Sequence, residues 1–142
     1  MCQSRLKDSV TAPRVQSPRC QSPRVSYPCD PSPSEQALAE LGLAMSGAGP
    51  LAAEALSDMA SWERSNHPSV VGRAHILDAL RQLTPPASLS VTQITVEGKA
   101  ATITGRLTRD GHGLFLFCQI LRFTTPERSQ IAQIISVEQK ER

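Results

Sequence analysis

The stretch from Leu114 to Thr124 constrains this chain more than any other. It holds three phenylalanines and no glycine or proline, which makes it a strand rather than a loop. With a period of two, Phe115, Phe117, Leu121 and Phe123 share one face, and Leu116, Cys118 and Ile120 share the other. A strand in a sheet with one wet face alternates apolar with polar residues. This strand does not, so it must be covered twice. Helices of the same chain can cover one side. A second subunit across a two-fold interface is the expected cover for the other, the alternative being the domain's own helices or loops.

The rest of the second half also reads as strands. Residues 89–97 carry Leu89, Val91, Ile94 and Val96, and Glu97-Gly98-Lys99 makes a tight turn. Residues 100–109 pair back, and Asp110-Gly111-His112-Gly113 turns into 114–124. A last strand, 130–138, contains Ile131, Ile134, Ile135 and Val137.

The first half is helical. Ser32-Pro33-Ser34-Glu35 has the form of a capping box with proline at the first helical position. Leu38, Leu41 and Met45 then recur at helical spacing, with Ala37, Ala44 and Ala48 beside them, until Gly47 and Gly49 end the helix. A second helix is expected from Pro50, with Leu51, Ala55, Leu56 and Met59 as its stripe. A short strand follows over 60–66. A third helix runs from Gly72 to Leu83, burying Ile76, Leu80 and Leu83, and Pro85-Pro86 stops it. Helices followed by strands predict an α+β domain over 34–142, with helices on one face of a curved antiparallel sheet.

Residues 1–33 differ in kind. They hold six of the eleven prolines, and five basic residues against two acidic ones, whereas the remainder has ten against eleven. The positive balance of the chain therefore lies in this tail. Gln16-Ser17-Pro18-Arg19 repeats as Gln21-Ser22-Pro23-Arg24. With few apolar residues and no period, the segment is expected to be disordered or polyproline-like. Proline-directed phosphorylation or basic docking is the functional reading, and an unstructured leader the plainer one. The proline spacing prevents the amphipathic helix of a transit peptide, and no apolar run of signal-peptide type is present.

Net charge is +2, too small to argue for nucleic acid by charge alone. No run approaches the ~18 apolar residues of a membrane span. Cys2, Cys20 and Cys29 lie in the tail at spacings of no zinc pattern, and Cys118 sits in an apolar run. A reducing, cytoplasmic location follows, with no metal or cofactor expected. No P-loop, GxGxxG, GxSxG or HExxH motif is present.

The order of elements, the strand bearing Trp62, the Gly72-Arg73-Ala74-His75-Ile76 entry to the third helix and the C-terminal meander resemble the nuclear-transport-factor-2-like (NTF2-like) superfamily. The likeness is to its polyketide-cyclase-like and ketosteroid-isomerase-like branches and covers about residues 34–139. It implies a cystatin-like cone, a bent sheet wrapped round three helices with a mostly apolar pocket, and a homodimer through the outer sheet face. In the isomerase-like members an Asp base lies where this chain has Arg64, and a guanidinium does not abstract protons at neutral pH. The only tyrosine is Tyr27, in the tail. The isomerase machinery is thus not found, unless Glu63 or Asp58 takes the base's place.

The candidate ligand-binding residues are Met59, Trp62, Arg64, His75 and Cys118. Trp62 would stack on a flat ligand, or else plug the cone as a core aromatic. Arg64 shares its face and would grip a carboxylate as a fork, or else sit at the surface. His75 is the weak catalytic candidate, as general acid or base on a pocket wall, though such a residue is more often a plain helix histidine. Three functions stay open: a binder of a small apolar molecule, a cyclase- or isomerase-type enzyme using a pocket His or Glu, and a dimeric interaction module with a filled cone.

Overall fold

A computed structural model describes residues 24–27 and 31–141. In chain order the elements are β1 (Arg24–Ser26), α1 (Pro33–Met45), β2 (Leu56–Arg64), β3 (Val70–Val71), α2 (Arg73–Arg81), β4 (Ser88–Glu97), β5 (Ala100–Arg109), β6 (Gly113–Phe123) and β7 (Ile131–Lys140). Among the described residues the strands form one open sheet in the order β1-β4-β5-β6-β7-β2-β3.

The first helix forms as its ends dictate. Ser32 Oγ accepts from the Glu35 amide at 3.1 Å, and Glu35 Oε1 accepts from the Ser32 amide at 2.9 Å, which closes the capping box. At the other end Gly47 turns at φ 88°, and the amides of Gly47 and Ala48 reach back to the carbonyls of Ala44 and Leu43. This double closure satisfies carbonyls that the helix leaves open and needs a left-handed residue, hence glycine. It also fixes Ser46 at the helix end with its side chain buried.

The second expected helix is absent. Residues 53–55 make one 3-10 turn, and Leu56–Arg64 is a nine-residue strand running parallel to β7. The helix-forming run Leu51 to Met59 loses to sheet pairing, because Leu56, Ala60 and Trp62 are wholly buried only in the strand. The register slips between Leu56 and Ser61. Asp58 and Met59 fall in that slip and face solvent. Among the described residues two α-helices therefore pack on the sheet, not three. The third expected helix is α2, ending at Arg81, with Ile76 buried. Arg73 pins it to β2: its Nε donates to the Leu56 carbonyl at 3.0 Å, and its guanidinium pairs with Asp58 at 3.0 Å.

The four expected strands of the meander are present as β4 to β7, antiparallel to one another. The sheet as a whole is mixed, since β1–β4 and β2–β7 run parallel. Register slips in the β2–β7, β4–β5 and β6–β7 pairings bend it. Gly105 sits at the bend, paired with Val91 beside the β4 slip and with Phe117. A Cβ there would lie 2.0 Å from the Ser90 carbonyl oxygen and 2.9 Å from the Phe117 ring. Only glycine lets β4 close on β5 here. The two faces of β6 divide as its alternation predicts. Phe117, Gln119, Leu121 and Phe123 are buried inside, while Leu116 and Cys118 lie on the outer face.

The expected tail differs over one stretch. Residues 24–26 pair in parallel with Ser88–Ser90 of β4, and Tyr27 enters the core. The sequence signal was diluted by prolines on both sides. The Ser-Pro repeat falls mostly on residues 1–23, outside those described.

Two outcomes test this account. Gly105→Ala should lower unfolding free energy in urea by about 2 kcal/mol or more, since neither the carbonyl nor the ring can retreat cheaply. Burial, and then the nearby Glu40 carboxylate, push the Tyr27 phenol above its ordinary pKa of 10.0. The neutral phenol is common to both states below pH 10, and above it the unfolded chain ionises first. Stability should therefore fall as pH rises above 10, and Tyr27→Phe should remove that part of the alkaline loss in denaturation titrations.

Candidate functional site

A cavity of about 420 Å³ opens between the end of α1, β2, β6, β7 and the loops at 65–67 and 83–84. Met45, Trp62, Leu83 and Phe115 supply its apolar wall, and Gln119 and Ser136 a polar floor.

The floor is a buried chain of hydrogen bonds. Trp62 Nε1 donates to Ser136 Oγ at 2.8 Å, Ser136 Oγ donates to Gln119 Oε1, and Gln119 Nε2 donates to Ser46 Oγ at 2.8 Å. Ser46 Oγ ends the chain on the Gly42 carbonyl at 3.5 Å. Its direction follows from Trp62. An indole N–H only donates, so Ser136 must pass its own hydrogen on, and Gln119 must turn its oxygen toward Ser136 and its amide nitrogen toward Ser46. One aromatic donor on β2 thereby orients groups on β7, β6 and α1. Leaving one such group unpaired costs about 1–3 kcal/mol, which locks the arrangement.

The charged residues are arranged unequally. Arg109 holds Glu138 with two bonds, Nε to Oε1 at 3.1 Å and Nη2 to Oε2 at 2.6 Å, and its Nη1 donates to the Thr84 carbonyl at 2.9 Å. Both charges are spent on each other. Arg64 lies over the Trp62 ring, its guanidinium carbon 4.3 Å from the ring centroid. Its Nε is buried and has no hydrogen-bond partner.

Of the residues expected to bind a ligand, Trp62 and Arg64 line the cavity. The other three do not. Met59 is 73% exposed, because the slip in β2 turns it outward. His75 lies on the exposed side of α2 with Nδ1 3.0 Å from the Val71 carbonyl oxygen. Cys118 points out of the opposite face of β6, where burial pushes its thiol pKa up and keeps thiolate scarce. Glu63 and Asp58, the substitute bases, are also outside: Glu63 bonds Gln133 and Asp58 pairs with Arg73. Tyr27 borders a different cavity, with Gln36 and Glu40.

Sequence reasoning missed Gln119, Ser136, Glu138, Arg109 and His67. Gln119 carried a signal, as the one polar residue in the inner row of β6. The others carried none, since Arg109 and Glu138 sit on strands separated by β6. His67 stands exposed at the rim, with Nδ1 2.8 Å from the Ser65 carbonyl oxygen. Among the described residues no cluster of His, Cys, Asp and Glu could hold a metal, and no helix is long and apolar enough to cross a membrane.

No protein-family profile matches the sequence, and no curated protein matches it. Solved structures do resemble it. An NTF2-like protein of unknown function from Cytophaga hutchinsonii ATCC 33406 is 19% identical with a TM-score of 0.58, over 74% of this chain and 98% of that one. A protein from Jannaschia sp. CCS1, provisionally designated a SnoaL-like polyketide cyclase, is 17% identical with a TM-score of 0.56, over 77% and 90%. One from Kribbella flavida DSM 17836, provisionally designated a ketosteroid isomerase, is 18% identical with a TM-score of 0.53, over 63% and 64%. At such identities the likeness is one of fold. The chain has the NTF2-like α+β fold, a curved mixed sheet around two helices.

Gln119→Leu should cost about 2 kcal/mol in urea unfolding, because it strands the Ser136 and Ser46 hydroxyls together. Because Trp62 is the only tryptophan, its emission should shift as the indole loses an oriented partner.

Proposed function

We propose that this protein binds a small, largely apolar molecule in its cone. The observation that carries the reading is the cavity of about 420 Å³, walled by Trp62, Phe115 and Leu83 over a floor whose hydrogen bonds are already satisfied. Such a space is within the size range of ligand pockets, which are mostly apolar with a few placed polar groups. Binding rather than catalysis fits the charges: Glu138, the carboxylate lining the cavity, has both oxygens held by Arg109. The catalytic alternative rests on His67, not on His75 or Glu63. When its Nδ1 donates to the Ser65 carbonyl, Nε2 is left as a proton acceptor at the rim.

The reading includes a second copy of the chain. On the outer face Leu114, Leu116 and Val137 are exposed, with Cys118 paired across to Val137 and Ile120 to Ile135. This apolar strip supports a two-fold pairing of sheets. The free Cys118 thiol accords with the cytoplasm as its setting.

Octanamide, a neutral probe, should raise the melting temperature and change Trp62 emission, and Leu83→Gln should weaken both effects. An unmoved melting temperature and emission at saturating probe would refute pocket binding. Light scattering should give a dimer that Leu116→Glu converts to a monomer; a monomeric wild type would refute the pairing.

A further inference from the structure

We propose that the ligand is a monoanionic carboxylate, its apolar body in the cavity and its carboxylate on Arg64 at the rim. The proposal rests on the pocket-binding reading above and assigns that pocket its chemical class.

The charge balance inside the cavity leads to it. Arg109 and Glu138 neutralise each other through two hydrogen bonds, and the third bond of Arg109 goes to Thr84. What remains is one positive charge, that of Arg64, and among the described residues no carboxylate pairs with it. Its Nε–H is buried without an acceptor. A guanidinium with an unpaired donor and no carboxylate partner favours an anion brought from outside.

The geometry selects the acceptor. Stacking on Trp62 holds the guanidinium near the ring. With Nε enclosed, the two terminal nitrogens are left to present a fork of N–H groups to two carboxylate oxygens. A single remaining charge suits a single negative charge. A phosphate ester would bring a second one near Glu138, whose carboxylate lines the same cavity. The floor asks for no further charge, since Gln119 and Ser136 are engaged in the chain from Trp62. Hence the ligand is polar at one end only.

Octanoate, octanamide and octyl phosphate share an apolar body and differ at the head. Calorimetry at pH 7.5, with Trp62 emission as a second readout, should show octanoate binding about tenfold or more tightly than octanamide. Arg64→Gln should bring the octanoate-to-octanamide ratio close to one, and Arg64→Lys should restore only part of it. The wild-type ratio decides the matter even if a variant folds poorly. Equal affinities for acid and amide would overturn the carboxylate assignment and leave the pocket reading standing. Tighter binding of octyl phosphate would overturn it in favour of a dianion. No binding by any of the three would overturn both.

Discussion

Strand β6 has no polar face, and the architecture is a response to that. Its inner row of Phe117, Leu121 and Phe123 needs cover; α1 packs on β4, β5 and β6, and α2 packs beside it on β2 and β3. A flat sheet could not wrap two helices, so the strands slip in register and bend. The bend in turn requires Gly105, where the β4 backbone passes too close for any side chain. Outside, Leu116 and Val137 remain open on the single chain.

The site is a by-product of the same constraint. The inner row of β6 is broken by Gln119, 1% exposed, which must be hydrogen-bonded. Its partners come from three other elements: Ser136 on β7, Ser46 at the end of α1 and, through Ser136, Trp62 on β2. These bonds tie β2, β7, β6 and the end of α1 together at the floor, while the Arg109–Glu138 pair ties β5 to β7. Trp62 serves twice, as the donor that sets the chain's direction and as the surface on which Arg64 rests. Of the alternatives weighed for it, its full burial is that of a core aromatic, placed where the core borders the cavity.

Much of the fold was legible. The capping box at Ser32, the glycine at the end of α1 and the alternation of β4 to β7 are local signals, settled by backbone hydrogen bonding and side-chain period. The misreadings share a cause. Leu51 to Met59 has a helical pattern and good helix formers, yet β7 offers an unpaired edge and Leu56, Ala60 and Trp62 gain full burial on it. Arg24–Tyr27 sits among prolines, yet β4 offers the other edge. In both places a partner distant in sequence outweighed local preference. Met59 was expected at the pocket on the helical reading, and the strand turned it to water.

From residues alone came the class of fold and the double-sided β6, since both are written in hydrophobic periods. Tertiary structure alone decided which charges are spent. Arg64 and Arg109 are equivalent in sequence, but Glu138 lies across β6 from one and out of pairing with the other. Electrostatic pairing acts over a few ångströms of space, and the chain order does not encode those distances.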